Sequence, residues 1–268
     1  MADQIPPTTR IVAESGAAKV HAFIAPDAVL ANATYVIEGP TSLVVVDAQL
    51  FVPMAQAFRA YVDGLGKPIA RVYLSHEHPD HFFGLAAAFA DAPIYALPQT
   101  IDFIVQHGEA IRLDRVQRFG ALIPTSVRIP DHIAQAGTEI IDGVTYEFIV
   151  VDDAEVQKQL TIRLPELGVH IVQDLVYSDV HAYAHRGMGG WIAALEALDA
   201  GSCERFLPGH GNPCGKDEVR TNIEYLRTVD RIIAEADGFD AFRDAVLAAY
   251  PNRKCPNMLN IYGHSLFS

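Results

Sequence analysis

The stretch Ser75-His76-Glu77-His78-Pro79-Asp80-His81 constrains this chain more than any other. Three imidazoles and the Asp80 carboxylate crowd into six positions directly after a short apolar strand predicted over 71–74. In extended backbone, residues two apart point the same way, so His76 and His78 can grip one ion. Asp80 and His81, beyond the Pro79 turn, then reach another. Imidazole and carboxylate donors suit zinc, iron or manganese, and the absence of thiolates argues against a closed structural zinc site. Taken singly, Asp80 can cap a helix predicted from Phe82, and any one His can be a hydrogen-bonded surface residue. No cap or surface role explains four potential ligands in this spacing.

Around this motif the pattern alternates between strands and helices. Strands are predicted over 20–24, 34–38 and 42–46, punctuated by Pro26, Gly39 and Pro40, as an antiparallel meander. Helices are predicted from Pro53 to about Val62, over 82–90 and over 98–116. A second run of strands follows at 139–141, 145–151, 160–164 and 169–172, with the turn-like Asp142-Gly143 between the first two. Helices over 191–198, 218–236 and 239–249 flank a last strand at 205–207, and the tail from Pro251 to Ser268 shows no clear period. Strands then helices, twice over, indicate an α+β fold, a layered sandwich of two halves around stacked sheets.

Composition narrows the partners. The chain has 268 residues, half of them hydrophobic, enough for a large core, and no linker divides it, so one domain over 1–268 is expected. A formal charge of −13 disfavours nucleic acid and anionic membranes, leaving a small-molecule substrate as the expected partner; the acidic surface favours neutral substrates. Cys203, Cys214 and Cys255 are odd in number and widely spaced, which fits neither a disulfide framework nor a thiolate cage. No apolar run is long enough for a membrane span, and Met1 to Arg10 lacks the hydrophobic stretch of a secretory signal, so a cytoplasmic location is expected. Oligomeric state is not encoded legibly.

The segment His76-x-His78-x-Asp80-His81 after a strand resembles the signature loop of the metallo-β-lactamase superfamily. Val172-Gln173-Asp174-Leu175-Val176 resembles the family's strand-end Asp, which bridges two metals, and Leu207-Pro208-Gly209-His210-Gly211 its late strand-end His, which binds the second. Asp47, ending a strand, sits where such proteins often place an Asp that supports the metal loop. The resemblance implies a four-layer αββα sandwich, with a core over about 19–211 and C-terminal helices and tail over 212–268. It also implies one or two divalent metal ions, zinc first, in a binuclear site, and hydrolysis of an ester, lactone, thioester or amide by a metal-bound hydroxide. Asp80 would then be both ligand and proton shuttle. Tyr177, His181, Tyr183 or His185 would be candidate donors to the developing oxyanion.

One position departs from the family. A third His to the first metal is expected from a loop before a strand, but no His lies between His132 and His170. Counting back from Leu160-Thr161-Ile162-Arg163-Leu164-Pro165 puts Glu155 at that place, with Asp153 two residues earlier; alternatively Asp152, Asp153 and Glu155 form a solvated acidic turn. A carboxylate there makes the centre less positive and raises the standing of manganese and iron, an effect Lys158 can partly offset. A single ion on Asp80, His81, Asp174 and His210 is the other arrangement. Two further readings follow, an iron-dependent oxidoreductase on the same fold and a non-catalytic metal-binding protein. His21, His107, His132, His170 and His264 fall outside any ligand spacing, and only His264, in the unplaced tail, stays open.

Overall fold

Alternate side chains of the N-terminal strands enter two different cores and so set the layers of this computed structural model, which describes residues 6–267. β1 (Thr8–Ser15), β2 (Ala18–Ile24), β3 (Ala33–Glu38) and β4 (Leu43–Val46) form an antiparallel meander. Helix α1 (Val52–Gly64) then crosses to β5 (Ile69–Tyr73), α2 (Pro79–Ala88) to β6 (Ile94–Ala96), and α3 (Pro98–Phe119) leads to β7 (His132–Ile133). These last three strands extend the sheet in parallel. Ala33, Tyr35 and Ile37 of β3 and Val44 and Val46 of β4 face inward, while Val36, Val45 and Val72 point to the opposite face and pack with Phe58 and Val62 of α1 and Phe82 of α2.

The second sheet carries β8 (Gly137–Ile141), β9 (Val144–Asp152), β10 (Lys158–Leu164), β11 (Val169–Ser178) and β12 (Phe206–Gly211), in the order β12-β11-β10-β9-β8. Its pairs are antiparallel except β11 with β12, whose parallel crossover is α4 (Gly189–Ala200). The Tyr73 and Phe148 rings meet between the sheets at 4.7 Å, and Tyr35 donates across the gap to the Pro208 carbonyl at 2.6 Å. The outer face of this sheet is covered by α4 and α5 (Lys216–Glu235), with Trp191, Leu195, Val229 and Leu226 buried. Helix, sheet, sheet, helix is the expected four-layer sandwich. Helix α6 (Phe239–Ala249) and the short α7 (Met258–Tyr262) follow.

Three local features differ from the sequence reading. β1, where the sequence reading places no element, is a mostly exposed strand whose polar residues give no strong alternation. β11 does not stop at Val172 but runs to Ser178, buried throughout, with its pairing to β12 shifted on both sides of Gln173, whose φ is +46°. The shift leaves backbone groups off the ladder, and side chains take them: Trp191 Nε1 donates to the Leu175 carbonyl at 2.9 Å, and Asn222 bonds both the N–H and the carbonyl of Tyr177 at 3.0 Å. Asp174 therefore sits inside an irregular strand rather than at a strand's end. Lastly, the tail has a place: Lys254 bridges Val180 in parallel, Arg253 donates to the Val180 carbonyl at 2.6 Å, and α7 is laid against the body of the protein. No helix among the described residues is long and apolar enough to cross a membrane.

Candidate metal centre

Asp47 directly follows β4 with φ +61° and is fully buried, which would be costly for a carboxylate without partners. It has four. Oδ1 accepts the Ser75 N–H at 2.7 Å, and Oδ2 accepts Ser75 Oγ at 2.6 Å, His81 Nδ1 at 2.7 Å and Gln173 Nε2 at 2.6 Å. One side chain thus ties the loop after β5 to the irregular stretch of β11. Replacing Asp47 with Ala strands four buried donors, and a destabilisation of about 3 kcal/mol or more is expected, read as a lower urea midpoint. Asp47→Asn, which keeps one acceptor, should lose less.

The same contacts fix the imidazoles. Ser75 Oγ donates to Asp47 and so accepts from His76 Nδ1 at 2.8 Å; His81 Nδ1 donates to Asp47; His210 Nδ1 donates to the Leu30 carbonyl at 2.8 Å. Each of these rings then presents Nε2, as a lone pair, inward. What those lone pairs face is carboxylate. His81 Nε2 lies 3.1 Å from Asp174 Oδ1, His76 Nε2 3.6 Å from Asp174 Oδ2, and His210 Nε2 3.2 Å from Asp80 Oδ2 and 3.4 Å from Asp174 Oδ2. His78 Nδ1 is 3.4 Å from Glu155 Oε1.

Two donor groups result, each with its ligand atoms within 4.8 Å of one another: His76, His78, Glu155 and Asp174 in one, Asp80, His81 and His210 in the other. Asp174 lies within reach of both. A third grouping, Asp47 with His76 and His81, is not available as a site because the Asp47 oxygens are saturated by hydrogen bonds. Buried His76 Nε2, His81 Nε2, both Glu155 oxygens and Asp174 Oδ1 have no hydrogen-bond partner. Lone pairs converging on lone pairs in a buried space repel unless a cation stands between them, so the residues present fit divalent metal ions.

Without a metal, protons take the cation's place unevenly across this cluster. Burial and the neighbouring His81 push His76 down to about 4. Burial also acts against charge on His78 and His210, but Glu155 and Asp174 outweigh it at His78, held up at about 9, and Asp174 and Asp80 do so at His210, held up at about 10. Burial lifts Glu155 to about 8, with His78 opposing and Asp174 adding to the rise. Asp80 and Asp174 are held below the usual carboxylate range: burial opposes this, and the charge of His81 leads what overcomes it.

The structure thus brings His76, His78, Asp80, His81, Glu155, Asp174 and His210 together. Glu155 sits in the turn between β9 and β10, buried, whereas Asp152 and Asp153 are exposed, and Lys158 pairs with Asp152 away from the centre. Tyr177 stacks on the His210 ring at 4.9 Å and donates to Asp174 Oδ2 at 2.8 Å, so its hydroxyl orients that carboxylate. Tyr183 packs on His78 at 4.9 Å. His181 is not brought to the centre: its buried ring lies 3.1 Å from the Tyr225 hydroxyl, under the tail. His185 faces the Ala154 carbonyl at 3.1 Å, and His264 packs on Phe239. Sequence reasoning missed Asn32, which donates to Asp80 Oδ2 at 3.3 Å, and Gln173; both are ordinary polar residues whose role appears only once distant strands meet.

Above the donors opens a cavity of about 410 Å³, a size usual for small-molecule sites. His78, Asp80, Asp174, Tyr177 and His210 form its floor. Val29 and Leu30, Leu50 and Phe51, Arg115, Arg118 and Phe119 of α3, and Met258 and Ile261 of the tail make its walls.

Fold and donor set together define a layered αββα protein with a candidate metal centre at the ends of its central strands. The profile of the metallo-beta-lactamase superfamily matches residues 28–210, and the chain belongs to that superfamily. Solved structures agree on the fold. A metallo-beta-lactamase from Pontibacter korlensis is 14% identical with a TM-score of 0.61, covering 82% of this chain and 99% of that one. The metallo-beta-lactamase FIM-1 from Pseudomonas aeruginosa, in its mono-zinc form, is 15% identical with a TM-score of 0.62, covering 85% and 97%. Among curated proteins, a linear primary-alkylsulfatase of Pseudomonas sp. is 23% identical over 71% of this chain and 44% of its own length. An alkyl/aryl-sulfatase of Saccharomyces cerevisiae is 24% identical over 57% of this chain and 29% of its own length. The chain spans less than half the length of these two relatives.

Proposed function

We propose that this protein is a metal-dependent hydrolase with two divalent cations, one held by His76, His78, Glu155 and Asp174, the other by Asp80, His81, His210 and Asp174. Zinc is the first expectation of such a donor set, with manganese or iron favoured more than usual by the third carboxylate. The observation that carries the reading is the convergence of unpartnered buried donor atoms on Asp174 at the floor of a cavity sized for a small molecule. When bound, such ions supply Lewis acidity and an activated water.

The chain's own residues supply the rest. Tyr177 holds Asp174 in orientation, and Asn32 steadies Asp80, whose carboxylate faces the cavity and can receive a proton there. The apolar walls orient the substrate and exclude bulk water. Esters, lactones, thioesters and amides are the substrate classes in view, and the names of the curated relatives support adding sulfate esters.

The test is elemental analysis of gently purified protein alongside a panel of those five bond types, before and after chelation. About two metal ions per chain and turnover lost on chelation are expected. Protein without stoichiometric metal and without turnover of any panel member would overturn the reading, and redox-active iron without hydrolysis would move it to the oxidoreductase class. Glu155→His exchanges a carboxylate for imidazole, the borderline donor that zinc prefers, so zinc affinity should rise by roughly tenfold. If metal titration shows no change, Glu155 is not a ligand.

A further inference from the structure

We propose that Arg115 and Arg118 form an anion-reading rim over the donor floor, so that the substrate is an organic oxyanion with an apolar body. This deepens the hydrolase reading and rests on it.

The two residues are one turn apart on α3, on one helix face, and both line the cavity that His78 and Asp80 floor. Two like charges at this spacing slightly destabilise a helix. The helix dipole compensates a basic residue in the last turn, yet nothing in it requires that residue to face a cavity. Elsewhere in this acidic chain most arginines are tied to carboxylates, as Arg59 is to Asp91, Arg71 to Glu139 and Arg253 to Glu218, while Arg10, Arg186 and Arg205 donate to an amide or to backbone carbonyls. Arg118 has no acidic partner among the described residues, and Arg115 pairs only with its exposed neighbour Asp114.

Arg115 lines the same cavity as Tyr183, which packs on His78 at the floor. A guanidinium fork matches a carboxylate or sulfate in shape as well as charge. Val29, Phe51, Met258 and Ile261 line the same cavity with apolar surface, interrupted by Asn257 and Asn260, which suits a hydrocarbon body. The net charge of −13 predicts neutral substrates at long range; within a Debye length, the two guanidiniums in the cavity wall act with the opposite sign.

The experiment compares metal-loaded wild type, the double variant Arg115→Ala/Arg118→Ala, and Arg231→Ala, an exposed arginine of α5, as control. The paired substrates are 4-nitrophenyl butyrate and the mono-4-nitrophenyl ester of succinate, equal in length but differing in charge. In the double variant, kcat/KM for the anionic ester should fall about tenfold or more, mainly through KM, while the neutral ester and the control variant stay within twofold. An equal fall for both esters, or no fall, overturns the inference and leaves the hydrolase reading intact.

Calorimetry with octanoate, octyl sulfate and neutral octyl glucoside decides the matter independently of turnover. Either anion should bind wild type and lose about tenfold or more in the double variant, and the stronger of the two identifies the group recognised. Failure of both anions to bind wild type, or equal binding to the double variant, overturns the inference. Turnover of neither ester, with arginine-dependent anion binding retained, would sink the hydrolase reading for these bonds and leave the rim standing.

Discussion

Asp174→Asn is expected to strip the protein of both cations and to lower hydrolysis by about a thousandfold or more. Among the described residues Asp174 is the one carboxylate within 4 Å of four imidazoles: its oxygens lie 3.1 Å from His81, 3.4 Å from His210, 3.6 Å from His76 and 3.8 Å from His78. The amide keeps the volume and still accepts the Tyr177 hydroxyl, so the irregular strand should persist. What changes is charge, along with the placing of an NH₂ group where a lone pair faced the imidazoles. Metal per chain, measured after dialysis, should fall towards zero while the far-ultraviolet dichroism is unchanged. Two retained ions with wild-type turnover would remove Asp174 from the shared position assigned to it.

Gly209→Ala should do comparable damage without touching a donor. A Cβ at Gly209 would stand 1.8 Å from Asp174 Oδ1 and 3.1 Å from the Asp174 N–H. Neither strand can retreat easily, since β11 and β12 are buried on both sides. The carboxylate must swing away, breaking its bond from Tyr177 and its approach to His81. Overpacking of this kind costs about 1–3 kcal/mol, and activity should drop by about a hundredfold or more because the displaced group is Asp174. Gly189→Ala, at the start of α4 with nothing within 4 Å of its Cβ, is the matched control and should be silent in both measurements. If Gly209→Ala kept full activity, the close approach of β12 to Asp174 would not constrain the centre.

The parts of this protein that were legible in the sequence are those with local causes. The short apolar, β-branched runs of β2, β3 and β4 are written in adjacent residues, and the His76–His81 motif announces itself by density. Glu155 was reachable only by counting back from the next strand, because one carboxylate in an acidic turn looks like any other; its burial beside His78 sets it apart from Asp152 and Asp153. β11 was cut short at Val172 because Gln173 and Asp174 interrupt an apolar run. In three dimensions those polar residues are what the strand is shaped to deliver, and Asn222 and Trp191 from α5 and α4 hold the distortion. His181 was chosen for nearness in sequence to Asp174, but the backbone turns after Ser178 and sends that ring to Tyr225 instead. Arg115 and Arg118 carried no signal at all, since a helix with charged residues on much of its surface does not say which of them overlooks a cavity.

The wall formed by Met258 and Ile261 comes from a segment that contributes none of the seven clustered donors and is pinned through Arg253, Lys254 and Cys255. Chemistry and selectivity are thus carried on separable stretches of polypeptide. The exposed side chains Asn257, Asn260 and Ile261 can be exchanged to widen, narrow or polarise the opening, while buried Met258 and Leu259 keep this short helix seated and the inner constellation as it is.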